Sequence, residues 1–499
     1  MLAWLCFRLN IKASPFARHF PKHLMIKPSY HNFSQKESIS QTELKVPNFF
    51  FALIGFIGLA TLATVCFYAY LIPLHVDEAG YWFNFTSRAI ENRHFPIPQI
   101  PNHTLTIYGA KLSLNLLGYN GIGYRFPVIF FSFLSVGAMF MLAQRFLKSK
   151  FKASLAVGVL FLCPWYLHYS HELRGYPSYI FFALIAFIVL DRILKEGDRP
   201  VLWVLMLGAF IGCYYSSMGS VVFIFNFMVT LWFLKICQCL RPKSERLASF
   251  QAIPIRSFVI FSMIATAIMS FIMFNLDLSL LLKNRQGQII HGEGLWDWTW
   301  VFKLAADIFS TFLGYRYLDD PTSILYNYPL PFWIFSLVCF FYGLKLALDS
   351  RQTPALIFVT LYTVTILFNF ANQHYIQTRA VCYLLPFLLI LQAEGLVELI
   401  KAVIKRIRFS IKGEKAVYGI VTMVLVFYFS IFSIGKYRNF HPDSGNPYEL
   451  ARTYLENNTG PNDLIISSLY DSLGGFYLGS LIRKNNFNIY KNGKINDIY

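Results

Sequence analysis

The stretch His75-Val-Asp-Glu-Ala-Gly-Tyr-Trp82 follows directly on a long apolar run, Asn48 to Leu74. It places two adjacent carboxylates, Asp77 and Glu78, at the point where that run ends. A run of about 20 apolar residues is long enough to cross a hydrocarbon core ~30 Å thick as a helix. The two acids therefore lie at a predicted membrane boundary, where a charge needs water, a partner or a function.

The composition of the whole chain is that of a membrane protein. Of its 499 residues, 56% are hydrophobic and 14% are charged, whereas about a quarter of the residues of a soluble domain are charged. Apolar runs recur and predict about eleven transmembrane helices, at residues 48–74, 125–146, 153–167, 175–194, 201–217, 219–238, 256–276, 328–348, 354–371, 380–400 and 416–435. We therefore predict an all-α polytopic membrane protein.

The basic residues behind the net charge of +18 are concentrated in short loops. Such loops face the cytoplasm, and here they fall around residues 145–152, 192–199, 235–256 and 401–415. The other segments hold most of the acids and are predicted to lie on the outer side, at residues 75–124, 168–174, 277–327 and 372–379 and in the tail after Tyr437. Because the basic residues form no continuous surface, we expect no nucleic-acid partner.

Three regions of the chain differ in composition. Residues 1–45 are basic and poor in acids, and we interpret them as a cytoplasmic tail, with a targeting segment as the alternative. Residues 46–436 form the predicted transmembrane module, and residues 437–499 a small α/β appendage on the outer side. Within the outer loops, 105–117 is predicted to be an amphipathic helix on the membrane surface. Residues 277–327, with Gly hinges beside apolar segments, are predicted to form a mobile lid.

Two further motifs lie at predicted helix ends on the outer side. His171-Glu-Leu-Arg-Gly-Tyr-Pro177 precedes the fourth apolar run, and Thr378-Arg-Ala-Val-Cys-Tyr-Leu-Leu-Pro386 opens the tenth. Together with Val76-Asp-Glu-Ala-Gly-Tyr-Trp82, they resemble the motifs of the GT-C superfamily of membrane glycosyltransferases. Within it, the chain is similar to bacterial relatives of protein O-mannosyltransferases and of the lipid A aminoarabinose transferase. The third motif departs from the Arg-Tyr-Leu-Pro pattern of that group, because three residues separate its Arg from its Tyr.

The resemblance implies displacement of a lipid phosphate at the anomeric carbon of a sugar. The acceptor must lose a proton to a carboxylate, and Asp77, at a partly desolvated helix end, is the candidate base. Glu172 is the second candidate catalytic residue, as a group that orients the acceptor or as a ligand, with Asp77, of a divalent metal ion. The alternative for Glu172 is a salt bridge to Arg174.

The leaving phosphate needs cationic stabilisation as its charge develops. Arg suits this task because its guanidinium group forms bidentate contacts with phosphate. The alternative for each Arg is a side chain that reaches out to the lipid headgroups, and Glu78 is either a ligand of the substrate or only a neighbour of the residues that touch it. The candidate substrate- and phosphate-binding residues are Arg174, Arg379, Tyr176 and Glu78.

The function that the resemblance predicts is transfer of a hexose or pentose from a polyprenyl-phosphate donor to a hydroxyl or amine of a lipid, glycan or protein acceptor. The predicted location is a bacterial inner membrane, among membrane lipids, with the active site facing the periplasm. Two alternatives stay open: a secondary transporter, and a non-catalytic membrane scaffold with the same fold. A transporter would need carboxylates within its spans, whereas the acids here are concentrated in the outer loops.

Overall fold

A computed structural model describes part of the chain, and every structural statement below refers to that part. It comprises residues 48–71, 78, 103–118, 120–239, 255–274, 298–313, 330–350, 352–372, 378–407, 417, 419–425, 427, 454, 457–458, 488–491 and 494–497. The predicted cytoplasmic tail, most of the predicted appendage and Asp77 lie outside the described residues, so the domain boundaries stay predictions.

Helices dominate the described residues and are numbered here in chain order. The earlier helices are α1 (Asn48–Leu71), α2 (Thr104–Leu117), α3 (Gly121–Leu147), α4 (Lys150–Leu162), α5 (Pro164–Tyr169), α6 (Tyr176–Glu196) and α7 (Pro200–Ser216). The later helices are α8 (Ser220–Cys239), α9 (Ile255–Phe274), α10 (Trp298–Phe312), α11 (Leu330–Asp349), α12 (Thr353–Asn372) and α13 (Leu385–Ile407). A 3₁₀ segment, Thr378–Leu384, leads directly into α13.

Seven of the described helices are long and apolar enough to cross a membrane, so the chain is an integral membrane protein. They are α1, α3, α6, α8, α9, α11 and the continuous run of the 3₁₀ segment and α13, while α7 and α12 are apolar but shorter. A 20-residue helix is about 30 Å long and matches the hydrocarbon core. The predicted fold class, an all-α polytopic membrane protein, is confirmed, and the count of about eleven spans stays a prediction.

The predicted helix at 153–167 is two helices, separated at Cys163. Cys163 has an extended backbone (φ −69°, ψ 116°), and Pro164 follows it as the first residue of α5. The ring of a proline clashes with a helical conformation of the preceding residue, so α4 ends before it. The short helix α5 therefore leaves the axis of α4 and leads into the loop 168–175.

The central helices of the bundle are α6 and the run from the 3₁₀ segment into α13, most of whose residues are buried. The crossing of α11 and α13 is close enough to require glycine. A Cβ atom on Gly343 would lie 2.0 Å from the carbonyl oxygen of Leu391, and one on Gly395 would lie 1.8 Å from that of Cys339. Such close crossings are typical of helix packing in membranes.

The two ends of the bundle differ in charge. At one end, here called the basic side, Arg145 of α3 pairs with Asp191 of α6 at 3.0 Å, and Lys152 of α4 pairs with Glu394 of α13 at 2.7 Å. At the opposite end, here called the motif side, Glu78 of the first motif contacts Leu173 of the second, and Tyr179, on the helix that follows the second motif, contacts Ala380 of the third. The described ends of the predicted cytoplasmic loops at 145–152 and 192–199 lie at the basic side.

The described residues near the C-terminus form a short antiparallel hairpin. Strand β1 (Asn488–Lys491) pairs with β2 (Lys494–Asp497), and Lys491 lies opposite Lys494. The two residues that connect them are Asn-Gly in the sequence, the pair that two-residue hairpin turns prefer.

Candidate functional site

The loop between α5 and α6 carries Glu172 and Arg174 on the motif side. It is a tight turn, in which the backbone N–H of Arg174 donates to the carbonyl oxygen of Glu172 at 2.6 Å. One carboxylate oxygen of Glu172 lies 3.1 Å from His168 Nε2, one helical turn earlier, and the other lies 3.8 Å from Arg174 Nε. The predicted salt bridge between Glu172 and Arg174 is therefore present, but the contact with His168 is the closer one.

These neighbours keep the Glu172 carboxyl ionised. Burial raises the pKa of Glu172, but the charge and hydrogen bond of His168, with the charges of Arg174 and His171, lower it more. The net pKa of Glu172 lies well below its ordinary value. Because a proton acceptor works best when its pKa is near the operating pH, this carboxylate is a weak general base and a strong electrostatic group.

Glu78 is held in a different way, inside a saturated set of hydrogen bonds. Its carboxylate forms a two-bond pair with Arg125 of α3, at 2.9 Å from Nε and 2.6 Å from Nη2. The same carboxylate accepts the backbone N–H of Leu173 at 2.6 Å, and the Glu78 carbonyl oxygen accepts the Tyr124 hydroxyl at 2.6 Å. Both members of the ion pair are fully buried. Of the two roles weighed for Glu78, this geometry favours that of a neighbour that fixes the residues around it.

Arg125 extends this set to the end of α1. Its Nη1 donates to the carbonyl oxygen of Ala69 at 3.1 Å, in the last turn of α1. The guanidinium group therefore joins α1, the first motif and α3, while Glu78 joins all of them to the second loop. A bidentate Arg–carboxylate pair fixes orientation as well as distance, so the first two motifs are registered against each other.

Gly175 allows the second loop to approach α7 and the first loop. A Cβ atom at this position would lie 1.6 Å from the carbonyl oxygen of Ser216 and 2.8 Å from His103 Nδ1, so no other residue fits. The buried His103 ring, directly before α2, lies 3.1 Å from the same Ser216 oxygen. The predicted interfacial helix at 105–117 is thus observed as α2, and it is anchored to the loop that carries Arg174.

Tyr176 is the point where the two candidate phosphate-binding arginines meet. Its ring is buried among aromatic side chains, with ring centroids 4.5 Å from Tyr169 and 5.2 Å from His103. Arg174 and Arg379 both lie close enough to the Tyr176 hydroxyl to act on it electrostatically. The second and third motifs, about 200 residues apart in the chain, therefore contribute to one region of the motif side.

The candidate metal site would use the carboxylates of Asp77 and Glu172 as ligands. No three His, Cys, Asp or Glu side chains in the described part of the chain are placed to hold a metal ion together. Glu172, one of the two candidate ligands, faces His168 and Arg174, and a cation gains little beside a guanidinium group. Asp77, the other candidate, lies outside the described residues, so a site that includes it stays a prediction.

The arrangement of the helices is similar to that of a solved membrane enzyme. ArnT from Cupriavidus metallidurans, bound to undecaprenyl phosphate, matches with a TM-score of 0.52 and 13% sequence identity, over 90% of this chain and 87% of that one. The fold of this chain is therefore similar to that of ArnT.

Two further solved structures match this chain with lower scores. ArnT of the same organism in the apo state has a TM-score of 0.47 and 13% identity, over 87% of this chain and 84% of that one. The oligosaccharyltransferase from Archaeoglobus fulgidus, in a complex with zinc and sulfate, has a TM-score of 0.45 and 11% identity, over 87% of this chain and 61% of that one. The sequence itself matches no protein-family model and no curated protein.

Most of the candidate residues chosen from the sequence lie on the motif side. The structure brings together Glu172, Arg174, Tyr176 and Arg379, and it links Glu78 to the same loop. Sequence reasoning missed Arg125 and His103. Arg125 carries a detectable signal, because a charge within an apolar run needs a partner. His103 carries none, since it is one polar residue in a polar loop.

Proposed function

We propose that this protein transfers a sugar from a polyprenyl-phosphate donor to an acceptor hydroxyl or amine on the motif side of the membrane. The observation that carries the proposal is a contact between the segments that hold the two arginines: the Tyr179 hydroxyl, one turn into the helix that follows Arg174, donates to the carbonyl oxygen of Ala380, the residue after Arg379, at 3.2 Å. Two guanidinium groups at the mouths of membrane helices suit a lipid phosphate, because each forms bidentate hydrogen bonds to phosphate oxygens. The undecaprenyl phosphate bound by ArnT, a protein of the same fold, supports the choice of lipid.

The proposed reaction is a displacement at the anomeric carbon. The acceptor gives its proton to the Asp77 carboxylate, its oxygen or nitrogen bonds to the anomeric carbon, and the bond from that carbon to the phosphate oxygen breaks. The electron pair leaves with the lipid phosphate, whose growing charge Arg174 and Arg379 stabilise. Preorganised cations near a developing charge are typically the largest single contribution to catalysis.

We assign different roles to Glu172 and Asp77 because their surroundings differ. Glu172 has a lowered pKa and stays ionised, which suits it to orient the acceptor rather than to take its proton. Asp77 is the proposed base. It precedes Glu78, whose carboxylate accepts the N–H of Leu173, and Leu173 follows Glu172. This contact between the immediate neighbours of Asp77 and Glu172 supports a shared site.

The proposed mechanism relies on the arginines rather than on a metal ion, because the described residues near Glu172 supply cations instead of further ligands. We further propose that the motif side faces the periplasm of a bacterial inner membrane. The basic loops at the opposite end, which follow the rule for cytoplasmic loops, support this orientation. The division into a tail at 1–45, a catalytic module at 46–436 and an appendage at 437–499 belongs to the same proposal.

The test is a transfer assay with purified protein and labelled polyprenyl-phosphate sugars, hexoses and pentoses, run beside the Asp77→Asn variant. We expect transfer from at least one donor, and a rate lower by roughly 10²- to 10⁴-fold for Asp77→Asn, because general-base catalysis contributes that much. Donor binding without transfer from any sugar would leave the scaffold alternative. A wild-type rate for Asp77→Asn would remove Asp77 as the base.

A further inference from the structure

A polar cluster lies beneath the candidate site, inside the apolar bundle. It consists of Asn226 of α8, Thr365 of α12 and Tyr383 of the 3₁₀ segment, and all three side chains are fully buried. The amide nitrogen of Asn226 lies 3.1 Å from Thr365 Oγ1 and 3.1 Å from the Tyr383 hydroxyl, and these two hydroxyls are 2.6 Å apart. Polar side chains in a membrane interior are costly unless they pair or serve a function.

One assignment of the protons satisfies all the contacts of this cluster. In it, Thr365 donates its hydroxyl proton to the carbonyl oxygen of Leu361, at 2.7 Å. The short contact between the two hydroxyls then uses the Tyr383 proton, with Thr365 as the acceptor. Both hydroxyl protons are committed, and the amide nitrogen of Asn226 donates to each hydroxyl oxygen. Each of the two hydroxyl groups donates one hydrogen bond and accepts at least one. Removal of either hydroxyl group therefore leaves one buried N–H of the Asn226 amide without an acceptor.

The element that this cluster holds is the one that carries Arg379. A 3₁₀ segment has weaker internal hydrogen bonds than an α-helix, and this one is interrupted at Val381 (φ −109°, ψ 20°). Tyr383 lies about 8 Å deeper than Arg379 along the segment, at about 2 Å per residue. The shape of the segment therefore depends on its neighbours, and Tyr383 is its deep anchor.

A second contact holds the upper end of the segment. The Tyr179 hydroxyl of α6 donates to the carbonyl oxygen of Ala380, the residue after Arg379, at 3.2 Å. Tyr179 lies one turn after Tyr176 on the same helix. On the other side of the 3₁₀ segment, a Cβ atom on Gly219 would lie 3.1 Å from the Cβ atom of Ala380. The segment is therefore closely packed on both sides. These contacts register the backbone of Arg379 against the helix that carries Tyr176.

We propose that the cluster of Asn226, Thr365 and Tyr383 is a positioning device that holds Arg379 in the geometry that binds a lipid phosphate. Three residues separate Tyr383 from Arg379 in the sequence. Tyr383 therefore lies below the arginine and serves as an anchor within the membrane. The proposal rests on the function proposed above. It assigns Asn226, Thr365 and Tyr383 an effect on phosphate affinity that acts entirely through Arg379.

The experiment measures binding of undecaprenyl phosphate to the full chain in lipid nanodiscs. Tyr383→Phe and Thr365→Val each remove one hydroxyl of the cluster, and Thr365→Ser keeps the hydroxyl as a rescue. The matched control is Tyr362→Phe, on the same helix as Thr365, whose hydroxyl donates to Ala305 of α10 instead. Thermal unfolding of each variant is recorded, so that a loss of fold is separated from a loss of affinity.

We expect Tyr383→Phe and Thr365→Val to bind about tenfold more weakly, a factor that corresponds to one lost interaction. Thr365→Ser and Tyr362→Phe should bind as wild type does. The decisive comparison is the double variant with Arg379→Gln: if the cluster acts through Arg379, Tyr383→Phe adds no further loss in that background.

Three results would overturn the proposal, and they can be told apart. If wild type binds the lipid and Arg379→Gln weakens binding, but Tyr383→Phe and Thr365→Val lower only the unfolding temperature, the cluster is a packing feature. Losses that multiply in the double variant would mean that Tyr383 acts independently of Arg379. No lipid binding by wild type would reject the proposed function itself, and the positioning role with it.

Discussion

Glu78 and Glu172 are two acids in adjoining loops of the motif side, and they are held in opposite ways. The Glu78 carboxylate is fully buried, with a bidentate pair to Arg125 and a backbone hydrogen bond from Leu173. The Glu172 side chain is 16% exposed, and its carboxylate lies 3.1 Å from His168 Nε2 and 3.8 Å from Arg174 Nε. One acid is held by a fully buried bidentate pair, whereas the other keeps one edge open to solvent.

The difference separates residues that build the site from residues that act in it. A buried ion pair contributes little net stability, but removal of one partner is costly because the other charge is left in an apolar interior. Because part of the Glu172 side chain is exposed, replacement of its charge should cost less in folding than loss of Arg125, and its effect should also appear in binding or turnover. We propose that the motif Asp77-Glu78 combines two roles, with the acid at position 78 as the support for its neighbour.

The largest effect on stability is expected for Arg125→Ala. It leaves Glu78 buried without its partner, and we expect a loss of about 3–5 kcal/mol in the free energy of unfolding, measured by thermal unfolding in detergent. The matched control is Arg145→Ala on the same helix, whose pair with Asp191 is partly exposed, with an expected loss of about 1 kcal/mol or less. The double variant Arg125→Leu with Glu78→Gln should recover part of the loss. Equal losses for the two single variants would contradict the assigned difference.

A smaller effect on folding is expected for Glu172→Gln than for Arg125→Ala, because glutamine keeps an oxygen that can accept hydrogen bonds from His168 and Arg174, and we expect a clear loss of transfer with it. The sign of its pH dependence follows from the lowered pKa of Glu172. A folded-state pKa below the unfolded value of 4.5 means that the ionised group stabilises the fold above that pH. The difference in unfolding temperature between wild type and variant should therefore narrow as the pH falls below about 4.5. A difference that widens in acid would contradict the assignment.

The smallest expected effect concerns α10, which lies within the predicted lid at 277–327. We expect that addition of undecaprenyl phosphate does not change the hydrogen exchange of this helix. Phe312 packs edge to face on Trp165 at 5.3 Å, and the carbonyl oxygen of Phe309 accepts the Trp333 indole N–H at 3.4 Å. These contacts make α10 part of the packed bundle, so for this helix we expect a segment that stays packed, and the lid stays a prediction. Hydrogen exchange of residues 304–313 should be equally slow with and without undecaprenyl phosphate. Exchange that slows on lipid addition would favour the lid instead.

The helices were predictable from the sequence because an apolar run is a local property. The predicted spans at 48–74, 175–194 and 256–276 coincide with α1, α6 and α9 within a few residues. The break at Cys163 was also encoded locally, in Pro164, and was missed because the apolar character continues across it. The 3₁₀ start of the last central helix was not predictable, since its conformation depends on contacts with α6, α8 and α12.

The candidate site was predictable in its residues but not in their roles. The motifs identified Glu172, Arg174 and Arg379 because charges at helix ends are conspicuous in a chain with few of them. Pairing is a long-range property: Glu78 and Arg125 are 47 positions apart, and Asn226 and Tyr383 are 157 apart. No local sequence pattern indicates that Glu78 is fully paired while Glu172 keeps an exposed edge. This difference follows from the three-dimensional contacts of the two acids.

The most direct test of the central claim is the affinity of the purified protein for undecaprenyl phosphate, compared with undecaprenol, which lacks the phosphate. If Arg174 and Arg379 hold a lipid phosphate, wild type binds the phosphate lipid well and the alcohol weakly, and Arg174→Gln and Arg379→Gln each weaken phosphate binding about tenfold or more. The control is Arg192→Gln, because Arg192 pairs with Glu196 on the basic side. This substitution should leave the affinity for undecaprenyl phosphate unchanged. Equal affinity for the two lipids, or phosphate binding that neither arginine variant alters, would contradict the account.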